Sequence, residues 1–202
     1  MRAIDAARAA GALSGAQIDM ANSRLDALAQ RYPAASTDYA EPQRAADDVL
    51  MRSAWARGLT GVAAPRAPRL DQPLRVYTQR SVPCDGVSEA GPSGAQVAAL
   101  FEAFADVEVV QLGELRGFDW SAVPRDGRTT VLVSNHRDRY DTASRAWRPD
   151  LHLALWNPFQ ALDIAAPAVV TWGYADGALA ALSDWLEGNG ALPGHSPVRL
   201  DA

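Results

Sequence analysis

The chain has 202 residues, 48% of them hydrophobic and 21% charged, the ordinary balance of a soluble globular protein. A formal charge of -5 gives it no electrostatic reason to bind nucleic acid or an anionic membrane surface. All 19 basic residues are arginine and Cys84 is the single cysteine, which excludes Schiff-base chemistry, a lysine-bearing phosphate loop, an internal disulfide and a thiolate metal cluster.

At the N-terminus Asp5 and Arg8 interrupt an Ala-rich stretch, so neither a signal-peptide core nor a membrane span can be drawn and the chain reads as cytoplasmic. Ser14 and Gln17 fit a capping box, and Ile18, Ala21, Leu25, Leu28 and Tyr32 recur at helical spacing until Pro33 ends the helix. A second helix is expected from about Pro42, through Ala46, Val49, Leu50 and Trp55, to Gly58. Residues 62–73 are rich in Pro, Ala and Arg without apolar periodicity and read as a connection. A helical arm over 1–61 followed by a domain over 62–202 is the expected organisation.

Beyond that connection, short apolar segments alternate with helical ones. Leu74–Thr78, Val107–Leu112, Thr129–Ser134, Leu151–Trp156 and Ala168–Trp172 are strand candidates, most without clean alternation, as strands buried on both faces should be. Ser93 and Gln96 make another capping box ahead of Val97, Leu100, Phe101 and Phe104, the apolar face of a helix. Asp176 opens a helix with a stripe of Leu179, Leu182, Trp185 and Leu186, and Gly188 supplies its stop. The expected fold is α/β: a mostly parallel sheet of about five strands with helices on both faces, a flavodoxin-like three-layer sandwich behind a two-helix N-terminal arm.

Ligands of such sheets collect at the carboxyl ends of the strands. There the sequence offers Arg80, Asn135, Trp156, Asn157 and Trp172 as ligand-binding candidates, the indoles for stacking on a sugar ring and the amides for its hydroxyls. The bland alternative is that the tryptophans plug the core. The run Asn135-His136-Arg137-Asp138-Arg139-Tyr140-Asp141 concentrates acid, base and imidazole after a strand, with a self-paired, solvated loop as its alternative. His136, His152 and His195 share no metal-ligand spacing, so no metal and no cofactor are expected. Gly86, Gly91 and Gly94 match no nucleotide fingerprint, and no Gly-x-Ser-x-Gly occurs.

The last fifty residues carry the most specific succession: Asn157-Pro158-Phe159, Ala166-Pro167-Ala168-Val169-Val170 with Tyr174, Leu186-Glu187-Gly188, and Gly194-His195-Ser196-Pro197-Val198. This order resembles the C-terminal domain of family 3 glycoside hydrolases of the β-N-acetylhexosaminidase type. Ala10-Gly11-Ala12-Leu13-Ser14, with Ile18-Asp19 and Ser23-Arg24-Leu25, is similar to the helical segment by which that family leaves its barrel. His195-Ser196 departs from the Arg-Leu or Lys-Leu usual there.

The resemblance implies a parent that hydrolyses O-glycosyl bonds with an Asp nucleophile on a barrel strand and an acid/base from an Asp-His pair beside a Lys-His-Phe-x-Gly-His motif. Neither motif is in this sequence, so it implies an accessory domain with no catalytic residue of its own. Because some multidomain relatives lend an acid/base from a second-domain loop, Asp138 or Asp141, with His136 beside them, are the candidates for that role. The implied partner is a family 3 barrel, in cis or in trans. A stand-alone saccharide-binding module is the alternative, and homo-oligomerisation through the helical arm is a third possibility.

Overall fold

The structure, a computed structural model, describes residues 2–33, 41–84, 86 and 89–200. The chain divides into two compact units between Arg44 and Ala45.

The first unit holds α1 (Arg2–Ala9), α2 (Gly15–Arg31) and the first turn of α3 (Glu41–Gly58). The capping box forms: the Ser14 hydroxyl accepts from the Gln17 amide at 3.2 Å and the Gln17 side chain accepts from the Ser14 amide at 2.9 Å. These bonds satisfy donors that the first turn cannot satisfy itself. The apolar stripe of α2 stays open, with Leu25 and Tyr32 more than 60% exposed.

The second unit is built on a six-stranded sheet: β1 (Thr60–Val62), β2 (Leu74–Gln79), β3 (Val107–Leu112), β4 (Thr129–Ser134), β5 (Leu151–Ala154) and β6 (Ala168–Val170), in the order β1-β6-β5-β4-β2-β3. All pairs are parallel except β1 with β6. The sheet thus has one strand more than expected. Three residues are too short to show a period, and β1 stands only because it pairs with the edge of β6, Thr60 opposite Val170 and Val62 opposite Ala168. The winding of the five parallel strands reverses between β2 and β4, the doubly wound pattern in which a crevice opens at the reversal.

The two faces differ. On the first, Leu74, Val76, Val131, Val133 and Leu153 pack against Val97 and Phe101, which belong to α4 (Gly94–Ala99) and the turns after it, and against Leu182, Trp185 and Leu186 of α6 (Asp176–Leu186). Ser93 caps α4 as its capping box requires. Trp55 of α3 joins this core and lies so close to Gly177 of α6 that a β-carbon there would collide with the indole.

On the second face Tyr77 and Leu132 meet Leu115, Tyr140, Trp147 and Ile164. Among the described residues its α-helix is the single turn α5 (Gln160–Asp163). The crossovers from β3 to β4 and from β4 to β5 each carry only a 3-10 turn, Trp120–Ala122 and Thr142–Ala146, and aromatic rings from them pack onto the sheet. Arg75, buried on this face, pairs with Glu108 at 2.8 Å and Asp126 at 2.7 Å, so its charge is compensated from two sides. No helix among the described residues is long and apolar enough to cross a membrane.

The closing segment is tied back to the start of this unit: the Gly194 amide donates to the Leu59 carbonyl at 2.8 Å. A β-carbon on Gly194 would stand 2.5 Å from the Thr60 hydroxyl and 2.6 Å from the Gly58 and Leu59 carbonyls. Backbone cannot retreat as a flexible side chain can. Gly194→Ala is therefore expected to lower the unfolding free energy by about 2 kcal/mol, read as a shifted urea midpoint, whereas Gly113→Ala, where a β-carbon meets nothing, serves as the control.

Candidate functional site

The reversal point of the sheet is bolted shut by one residue. Asn135 follows β4 and is fully buried; its Oδ1 accepts from the Gln79 amide at 3.2 Å, and its Nδ2 donates to the Gln79 and Pro92 carbonyls at 2.7 Å each. All of its side-chain polar capacity toward neighbouring strands is spent on backbone. A β-carbon on Gly91 would collide with the Asn135 carbonyl, so the chain must carry glycine where it passes this plug.

The other residues at the carboxyl ends are held in different ways. Asn157 donates to the Arg137 carbonyl at 2.7 Å and accepts from the Phe159 amide at 3.0 Å, the turn that starts α5. Trp172 takes a left-handed φ of 60° at the exit of β6 and donates its indole N–H to the Thr60 hydroxyl at 2.9 Å. That turn ends β6 at Val170, earlier than the apolar run suggests. Trp156, half-buried, meets Tyr174 edge-on with centroids 4.9 Å apart, and Tyr174 reaches Glu89 at 3.4 Å. Arg80 is exposed and its guanidinium touches the Gln111 carbonyl at 3.4 Å.

Within residues 135–141 the carboxylates do structural work or stand in water. Asp141 caps the 3-10 turn, accepting from the Ser144 amide at 3.1 Å and the Ser144 hydroxyl at 3.0 Å, and these bonds hold its carboxyl below the usual range. A general acid needs the opposite shift. Asp138 is exposed, and its carbonyl accepts from Gln160 at 2.7 Å. Arg139 forms a two-pronged pair with buried Asp163, which also accepts from the Tyr140 amide at 3.0 Å.

Behind this loop runs a polar chain that sequence reasoning missed. The Ser134 hydroxyl lies 2.8 Å from His152 Nε2 and 2.7 Å from the Tyr140 hydroxyl, which lies 3.1 Å from His136 Nε2. Gln160 completes it by donating to the His136 carbonyl at 3.1 Å. All five residues are buried. Burial holds His152 down at about 3 and His136 at about 4, and pushes the Tyr140 phenol upward, so every member is neutral at pH 7. A serine beside a histidine has the outline of a nucleophile and its base. Here His152 Nδ1 meets no orienting acid among the described residues and no substrate can reach the hydroxyl. The chain cross-links β4, β5, the 138–141 loop and α5. Among the described residues no three His, Cys, Asp or Glu side chains converge on a point where a metal ion could sit.

No protein-family model and no curated protein matches the sequence. Solved structures do. A glycoside hydrolase family 3 β-N-acetylglucosaminidase from Paenibacillus sp. str. FPU-7 superposes with a TM-score of 0.60 and 21% identity over 96% of this chain and 41% of that one. A β-glucoside phosphorylase, BglX, gives 0.55 and 17% over 98% of this chain and 41% of its own. A fungal multi-domain family 3 β-N-acetylglucosaminidase gives 0.54 and 14%, over 97% and 25%. The fold is one found within family 3 glycoside hydrolases.

The chain spans less than half the length of each of these structures. The residues that carried the sequence resemblance mark places where backbone must turn or approach closely. Asn157 sets the turn into α5, and Gly194 lies against the Leu59 carbonyl.

Proposed function

We propose that the chain is the accessory domain of a family 3 glycoside hydrolase of the β-N-acetylhexosaminidase type, working beside a catalytic barrel in cis or in trans and inactive by itself. The carrying observation is coverage: almost the whole chain superposes on under half of each neighbour, and two of the three neighbours are described as β-N-acetylglucosaminidases. The local chemistry supports the same reading. Retaining hydrolysis needs a nucleophile and an acid/base group about 5 Å apart across the scissile bond, whereas Asp141 is engaged as a turn cap and Asp163 as an arginine partner.

The chain alone is expected to release no chromogen from an aryl N-acetylglucosaminide. Mixed with a separately expressed family 3 barrel, it is expected to co-elute with it and to raise its turnover. A folded chain that neither binds nor stimulates the barrel would end this reading. The half-buried Trp156–Tyr174 pair favours a second one, a saccharide-binding module at the carboxyl ends. It requires saturable heat on titration with N-acetylglucosamine, lost in Trp156→Ala.

A further inference from the structure

We propose that the cleft between the two crossovers of the second face binds an acidic sugar, a pyranose ring bearing one carboxylate. The cleft measures about 790 Å³ and lies at the amino ends of β4 and β5, bounded by Thr130 and Asp150, at the opposite end of the strands from the loops discussed above. Its volume is that of a small-molecule site. It exists because both crossovers lack a full helix, so that residues 118–128 and 143–150 face each other across a gap a helix would fill.

The lining divides into a stacking surface and a set of charges. Half-buried Phe118 and Trp120 supply the surface, edge-on to each other at 5.4 Å, with buried Trp147 backing Trp120 at 5.1 Å. Such rings accept the apolar face of a pyranose. The Trp120 indole N–H is screened from solvent without an acceptor among the described residues, so the ring, not its N–H, is what the cleft offers a ligand.

Arg125, Arg128 and Arg148 outnumber Asp119 and Asp150 in the lining by one positive charge. Arg128 is engaged with Asp106 at 2.8 Å, and Arg148 with the carbonyls of Arg145 and Trp147. Arg125 has no hydrogen bond or ion pair to any described residue, which leaves its planar fork for a carboxylate. Asp119 and Asp150 each spend one oxygen on the local backbone, accepting from the Ser121 amide at 2.9 Å and the Thr130 amide at 2.7 Å. Their second oxygens can accept from sugar hydroxyls, and their charge disfavours a multiply charged phosphate. A single carboxylate on a hydroxyl-rich ring satisfies both sets.

The site needs no barrel, so its test is independent of the function proposed above. Tryptophan fluorescence and calorimetry on the whole chain, titrated with D-glucuronate, D-glucose and inorganic phosphate, decide the matter. The expected result is saturable binding of glucuronate, at least tenfold weaker binding of glucose and of phosphate, and at least a tenfold loss for glucuronate in Arg125→Gln. Thermal melting should be unchanged in that variant, because Arg125 holds nothing in the fold. Absence of saturable glucuronate binding, phosphate binding as tightly as glucuronate, or unaltered affinity in folded Arg125→Gln would each overturn the proposal.

Discussion

Asn135→Ala is expected to remove about 4 kcal/mol of unfolding free energy at neutral pH. The change strands the Gln79 amide and the Gln79 and Pro92 carbonyls around the space left by a fully buried side chain. Each buried, unpaired backbone group costs about 1–3 kcal/mol, and loss of the side chain leaves a small void as well. Asn135→Asp tests the assignment of the amide: it keeps the acceptor toward Gln79 but sets a carboxylate against two carbonyl oxygens, so it should be at least as damaging. Asn157→Ala removes two bonds at a half-buried turn, where water replaces them, and should cost about 1 kcal/mol. Urea titrations of the three variants give the ranking directly. Equal midpoints for Asn135→Ala and Asn157→Ala would mean that the reversal point of the sheet is open to water and available to a ligand.

What could be read from the sequence was local or contiguous. The five parallel strands announced themselves because a strand covered on both faces is a short run of Val, Leu and Ala, as in Val131-Leu132-Val133. The capping boxes at Ser14 and Ser93 were visible because both partners lie within three residues. Asp141 and Asn157 were legible only as polar residues after a strand: the sequence did not say that Asp141 caps its own turn or that Asn157 bonds Phe159 and Arg137. A three-residue strand such as β1 has no signature of its own, since its partner β6 is more than a hundred residues away. Arg75 shows the same limit: inside an apolar strand its charge is tolerable only because register brings up Glu108 and the next crossover brings Asp126. The network of Ser134, His152, Tyr140, His136 and Gln160 joins residues up to 24 positions apart, and only the parallel register of β4 with β5 puts Ser134 and His152 on one face. The cleft of the second face was illegible for a further reason. It arises from helices that do not form, and a segment such as Phe118-Asp119-Trp120 reads as an undifferentiated loop until a second loop stands opposite it.

That buried network also makes the fold acid-sensitive well above the range in which carboxylates titrate. His152 and His136 are held at about 3 and about 4 in the folded chain by burial, against an ordinary value near 6.5. Below pH 6.5 the unfolded chain takes up protons at these positions and the folded chain does not, so protonation favours unfolding. Stability is thus complete above pH 6.5 and falls as pH drops toward the folded values. Each histidine contributes a slope of about 1.4 kcal/mol per pH unit, and the pair should cost about 4 kcal/mol between pH 7 and pH 5. Carboxylates do not account for this window. Asp126 and Asp141 are held below their usual range by the Arg75 guanidinium and the Ser144 hydroxyl, so their contributions are lost only at lower pH. His136→Gln keeps a side chain able to reach the Tyr140 hydroxyl while removing one titrating group, and it should halve the slope. Urea midpoints at pH 7.5, 6 and 5 measure both effects. A wild-type midpoint that is flat from pH 7 to 5 would show that the imidazoles are hydrated or already charged in the fold, and the chain from Gln160 to His152 could then not be the dry cross-link that joins α5 to the sheet.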